Sequence, residues 1–176
     1  MENLINIVEP YYEDKDIMHN MWHIKMVKQQ IDKILKLGEF DIDYDSLIHA
    51  MYFHGFIYSD ETAIRDYLKK NNYDDSKIEK IIKIAWESHR NEIPKTLEGK
   101  ILHDAHVLEG GKTYLVVKTL ITGSVRGQDL EKTLSFMKEN VLNKNKCYLN
   151  ETIPLCEEMN KYTNEFSKDL IKGISE

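Results

Sequence analysis

The segment DIMHNMWHIKMVKQQIDKILKL, residues 16–37, decides the fold class of this chain. Its apolar residues recur at the three- and four-residue spacing of a helix that packs one face against a core. They are Ile17, Met21, Ile24, Val27, Ile31, Ile34 and Leu35. Gly38 follows as a natural helix end. Similar spacing runs through most of the chain, so the sequence predicts an all-α fold.

One segment departs from this spacing. Residues 114–121, YLVVKTLI, are rich in β-branched side chains and would suit a buried strand. The sequence offers no second strand to pair with it, so we predict a buried helix here. The chain of 176 residues contains no repeat and no linker, and we expect one domain over residues 1–176 with its core at about 15–170.

Composition narrows the classes of function. The net charge is −6 and no basic block occurs, which argues against binding a nucleic-acid polymer. No apolar run is long enough for a membrane span, and the acidic start MENLINIVEPYYEDKD lacks a signal-peptide pattern. Cys147 and Cys156 form no metal-binding or redox motif. We therefore expect a cytoplasmic protein with reduced thiols and no membrane partner.

Three polar residues fall on apolar helix faces. His23 lies on the apolar stripe that contains Ile24 and Val27. His54 lies on the stripe of Leu47 and Met51, and Asp104 lies on the stripe of Ile101 and Leu108. A buried carboxylate is costly unless it is paired or binds a metal. Two histidines and one aspartate from three helices suit a divalent transition metal. A single inward histidine is more often an ordinary core residue. His103, beside Asp104, is expected on the surface.

Three segments together resemble the HD-domain superfamily: HNMWHIKMV at 19–27, AMYFHGFI at 50–57 and EGKILHDAHVLE at 98–109. The similarity covers about residues 15–170 and is closest to small stand-alone HD phosphohydrolases of bacteria. It implies an all-α single-domain bundle with a divalent metal held by His23, His54 and Asp104. It also implies hydrolysis of a phosphate ester, with His89 as a second-site ligand or phosphate contact.

The chain departs from this family at two positions. Gly55 stands where the family carries the aspartate of its name, and His106 stands where it carries a second acid after Asp104. Loss of the aspartate removes a ligand and favours one metal ion over a bridged pair. His106 lies about 200° round the helix from Asp104 and is not expected to replace it at the same point.

Three functions remain open. The first is a mononuclear phosphohydrolase using Mn, Fe, Co, Ni or Zn on a small phosphorylated molecule, with nucleotides as one candidate. The second is a catalytically degenerate binding module for a ligand or protein. The third is an oxygenase-like iron site, since two histidines and one carboxylate suit Fe(II). Candidate phosphate contacts are Arg90, Lys100 and Arg126, the last in a loop that would equally serve as a plain connector.

Overall fold

The computed structural model describes residues 2–89 and 92–175, so Arg90 of the predicted phosphate contacts lies outside the described residues. Within them the chain forms helices and no strand, which confirms the all-α prediction. The helices are α1 Glu2–Val8, α2 Pro10–Glu13, α3 Met21–Ile34, α4 Tyr44–Phe53, α5 Glu61–Lys70, α6 Asp75–Glu87, α7 Leu97–Val107, α8 Gly111–Val125, α9 Leu130–Asn140 and α10 Ile153–Ser175.

Polar caps set where the helices begin. The stripe predicted from residue 16 yields a helix only from Met21, because the Asn20 side chain accepts a hydrogen bond from the Trp22 amide and starts α3 there. The Asp74 side chain does the same for α6 by accepting from the Lys77 amide. For α5 the cap is Asp60, whose side chain accepts from the Ala63 amide.

The main core lies among α3, α4, α6 and α7, which pack against one another, with α5 on the outer side of α6. Its aliphatic side chains are almost fully buried, as the apolar stripes predict. The short helix α1 packs on α4 and on α2, and Tyr12 of α2 enters this core and bonds the Tyr52 carbonyl of α4. The core therefore holds α3, α4 and α7 in fixed positions, and these elements carry the candidate site.

Helix α8 packs against α9 and α10 in a second layer. The segment 114–121 is helical, as predicted, but it is not a buried helix. Val117 is 45% exposed, and within α8 only Val116 and Gly123 are buried among the described side chains. One side of α8 faces a cavity instead of a packed core, and Val117, which does not line that cavity, is exposed as well.

None of the described helices combines the length and the apolar character of a membrane-crossing segment.

Candidate metal centre

Three histidines converge where α3, α4 and α7 meet. His23 lies in the first turn of α3, His54 is the C-cap of α4, and His106 lies near the end of α7. His23 and His54 are buried and His106 is half-buried. One ring nitrogen from each lies within 4.8 Å of the others, so this group could hold a metal ion.

The spacing of two of these nitrogens is already that of metal ligands. His23 Nε2 and His54 Nε2 are 3.2 Å apart. Two ligands bound at about 2.05 Å to a tetrahedral ion would lie about 3.3 Å from each other. The three rings stand 5.1 to 5.3 Å apart between centroids, which leaves His106 a small inward movement to complete the set.

Hydrogen bonds on the far side of two rings determine where their protons lie. His23 Nδ1 contacts the Glu109 carboxylate, and His54 Nδ1 lies 2.5 Å from the Met51 carbonyl oxygen. Both partners only accept, so each Nδ1 is the protonated nitrogen of its ring. Each neutral ring then presents an Nε2 lone pair, and the two lone pairs face each other across 3.2 Å. A cation between them would remove this repulsion.

These rings are uncharged at neutral pH. Burial lowers the pKa of His54 to about 4. Burial, followed by the charge that His54 would carry, holds the pKa of His23 well below its usual range, and burial and both neighbours do the same for His106. Neutral imidazole is the form that binds a metal ion. Protons therefore compete with a metal for this site only in acid.

Glu109 supports the cluster from behind. This buried carboxylate accepts from His23 Nδ1 on one side and from the Lys118 ammonium of α8 on the other. A carboxylate that holds the outer nitrogen of a ligating histidine fixes the ring orientation and raises its basicity. Lys118 offsets the charge of Glu109, which would otherwise be costly at this burial.

Asp104 does not join the histidines, and the predicted ligand set needs correction here. Its carboxylate is fully buried on another side of α7, where it accepts from the amides of Tyr148 and Leu149 at 2.9 Å and from the Thr152 hydroxyl at 2.5 Å. Four short contacts satisfy both of its oxygens. Its place in the candidate set passes to His106, contrary to our expectation for that residue.

The other residues that the sequence analysis singled out lie at different distances from the histidine cluster. Half-buried His89 borders the cluster, and its Nε2 is buried without a partner in the described residues. Arg126 lines a neighbouring cavity, whereas Lys100 lines neither cavity beside the histidines. His103 was expected on the surface, but it is buried against Tyr148.

Two cavities meet at the cluster. The smaller one, about 180 Å³, lies beside α2 and is lined by Lys15, His23 and His54. The larger one, about 280 Å³, lies beside α8 and is lined by Lys118 and Arg126. His106 borders both, so a ligand that reached the cluster could extend to either side, and each side carries cationic groups.

Tyr12 occupies the space beside Gly55. A Cβ atom at Gly55 would lie 2.5 Å from the Tyr12 hydroxyl oxygen and 2.8 Å from its Cζ atom. The same hydroxyl donates to the Tyr52 carbonyl and accepts from the Gly55 amide. Tyr12 is 1% exposed, which leaves it little room to move away. Position 55 therefore has no space for a side chain, because the Tyr12 ring of α2 fills it.

Sequence reasoning missed His106 and Glu109 as members of the site. They are three residues apart at the end of α7, a spacing that places them on one side of a helix. That spacing was the available signal. It was obscured because α7 buries residues on several sides, including Glu98, His103 and Asp104, so an apolar stripe does not single out one inward direction.

Two solved structures share this fold. The crystal structure of YpgQ from Bacillus subtilis in complex with ADP aligns with a TM-score of 0.73 at 15% identity, over 96% of this chain and 97% of that one. The crystal structure of Lin1889 from Listeria innocua aligns with a TM-score of 0.72 at 20% identity, over 99% and 97%. No family profile and no curated protein matches the sequence. These likenesses establish the fold.

Proposed function

We propose that this protein is a divalent-metal-dependent hydrolase of small phosphorylated molecules, built on a degenerate HD-type site with one metal ion. The observation that carries the proposal is the 3.2 Å separation of His23 Nε2 and His54 Nε2, the two nitrogens that the Nδ1 contacts leave unprotonated. His106 completes a set of three neutral imidazoles, and three protein ligands with an open fourth position are typical of a catalytic zinc site.

The composition of the ligand set bears on the choice of metal. Imidazole nitrogens suit Zn²⁺, Fe²⁺ and Ni²⁺, whereas Mn²⁺ prefers carboxylate oxygens. None of the carboxylates in the described residues belongs to the three-membered group. The combination of two histidines and one carboxylate, on which the oxygenase alternative rested, is not formed because Asp104 points elsewhere. We therefore favour Zn²⁺, Fe²⁺ or Ni²⁺ over Mn²⁺.

A divalent ion, when bound, supplies Lewis acidity and a water of lowered pKa. The residues of the chain provide the remaining functions. Glu109 orients His23 and keeps its outer nitrogen protonated, so that Nε2 stays available. Lys15 on one side and Arg126 on the other place positive charge where an anionic substrate would enter. Burial of His23 and His54 limits water around the reacting group.

The phosphorylated substrate is supported by charge and by analogy of fold. Lys15, Lys118 and Arg126 surround the cluster in an otherwise acidic protein. YpgQ, which shares the fold, was crystallised in complex with ADP. Nucleotides are accordingly one class to include in a substrate screen.

The first experiment is elemental analysis of the purified protein beside two variants. We expect about one transition-metal ion per chain in the parent protein and its loss in His106→Ala. His49→Ala is the matched control, because His49 is half-buried on α4 and binds Tyr73 away from the cluster. Metal retained by His106→Ala, or none bound after reconstitution with Zn²⁺, Fe²⁺ or Ni²⁺, would contradict the proposal.

A second candidate function is a binding module without turnover. It is favoured by one observation: Glu109 already accepts from His23 and Lys118, so it is not available as a general base. Hydrolysis of 4-nitrophenyl phosphate by metal-loaded protein, abolished by His106→Ala, would support the enzyme. Bound metal and ligand-dependent stabilisation with no hydrolysis of any ester in a panel would support the binding module.

A further inference from the structure

One face of α8 forms a wall of the larger cavity. Tyr114, Lys118, Thr122 and Arg126 follow one another at intervals of four residues and all line it. Residues four apart lie on the same helix face, so α8 presents a row of hydrogen-bonding and cationic groups to this space. The row also explains why the hydrophobic pattern of α8 did not match a core-facing helix.

Three buried polar atoms around this cavity have no partner among the described residues. They are the Tyr114 hydroxyl, the Thr122 hydroxyl and the Asn145 side-chain nitrogen. Asn145 is only 9% exposed, and its backbone carbonyl is separately used by Cys156 and Asn160. An unpaired buried polar atom is costly, because it has lost its hydrogen bonds to water and gained none in return. Three such atoms around one space indicate a place for a ligand with its own polar atoms.

Apolar side chains also line the cavity. They include Phe136 of α9 and Val141 at the C-terminal end of that helix. The volume of about 280 Å³ lies at the lower end of the roughly 300–1,000 Å³ of small-molecule sites. A flat organic group fits these walls if one face contacts Phe136 and its edge bears hydrogen-bond acceptors.

We propose that this cavity binds the organic group of the substrate, a planar group with hydrogen-bond acceptors, while its phosphoryl group lies at the histidines. His106 belongs to the cluster and also lines the cavity, so the two places adjoin at this residue. Thr122 and Asn145 are then specificity residues that recognise the acceptors. This inference rests on the proposed function, since it assigns the phosphoryl group to the metal centre.

The test uses non-hydrolysable phosphonates, so that binding is measured apart from turnover. Dissociation constants are measured by calorimetry on metal-loaded protein for methylphosphonate, benzylphosphonate and 4-nitrobenzylphosphonate. We expect affinity to rise in that order, because only the last carries both ring and acceptors. Thr122→Val removes the hydroxyl and keeps the shape, and it should weaken 4-nitrobenzylphosphonate about three- to tenfold without changing methylphosphonate.

The matched control is Thr113→Val, since Thr113 lies on the same helix, is exposed and does not line the cavity. It should leave all three affinities unchanged. Equal affinity for the three phosphonates, no binding of any, or an intact preference in Thr122→Val would overturn the inference. If the protein hydrolyses esters but does not prefer 4-nitrobenzylphosphonate, the proposed function is retained and this inference is rejected. If it prefers 4-nitrobenzylphosphonate but hydrolyses no ester, the binding cavity is retained and the hydrolase function is rejected.

Discussion

Replacing Asp104 with alanine tests whether this carboxylate belongs to the fold or to the metal centre. It accepts from two backbone amides and one hydroxyl in the 148–152 turn. Hydrogen bonds to a charged group contribute about 1.5–3 kcal/mol each, and three that share one carboxylate are less than additive. We therefore expect Asp104→Ala to lower the free energy of unfolding by about 4 kcal/mol, a large part of the roughly 5–15 kcal/mol of a typical domain.

The assay is urea denaturation followed by circular dichroism, with metal content measured on the folded protein at low temperature. At this chain length the loss corresponds to a fall in Tm of roughly 10 °C. Asp66→Ala is the control, because Asp66 is exposed on α5, and its effect should stay within about 0.5 kcal/mol. The folded Asp104→Ala protein should keep its metal. Lost metal with an unchanged unfolding midpoint would refute this account and return Asp104 to the ligand set.

Three further perturbations address the surroundings of the cluster. Glu109→Ala removes the partner of His23 Nδ1, so metal affinity measured by chelator competition should fall about 10- to 100-fold; an unchanged affinity would show that the carboxylate does not tune the site. Gly55→Asp places a Cβ atom against Tyr12 and should lower the free energy of unfolding by about 1–3 kcal/mol. The loss should be smaller in the Tyr12→Ala background, and fully additive losses in this double-mutant cycle would contradict the packing argument. In metal-free protein the depressed pKa of His54 means that the unfolded chain binds the extra proton. Unfolding free energy should then fall from about pH 6.5 towards pH 4, by about 3 kcal/mol from His54 alone, and a flat profile in acid titrations would contradict its burial as a neutral ring.

The sequence predicted the parts of the fold that depend on one-sided burial. The stripe of α3 and the position of His23 and His54 on inward faces follow from apolar spacing, and the structure brings these two histidines together. The third member of the cluster, His106, was not predicted, and the reason is physical. Helix α7 is buried on several sides, so Asp104 and His106 both point into protein, and spacing alone cannot say which of them faces α3.

The prediction that residues 114–121 form a buried helix was wrong for the opposite reason. Its β-branched residues suggested complete burial, yet the helix divides its faces between a packed layer and a cavity lined by Tyr114, Thr122 and Arg126. In the sequence, polar residues that line a cavity cannot be told apart from interruptions of an apolar stripe. The structure shows that these residues line one cavity, because α9 and Asn145 border the same space.

The end of α7 connects the 148–152 turn, the histidine cluster and helix α8. Asp104 holds the 148–152 turn that precedes α10, His106 faces the other two histidines, and Glu109 joins His23 to Lys118 of α8. Lys118 lies one turn of helix from Thr122, in the row that lines the larger cavity. A shift of α8 by an occupant of that cavity would therefore move Lys118 and Glu109, and through them the orientation of His23. Metal affinity and binding of the organic group should consequently be coupled, with each changing the other by the same factor.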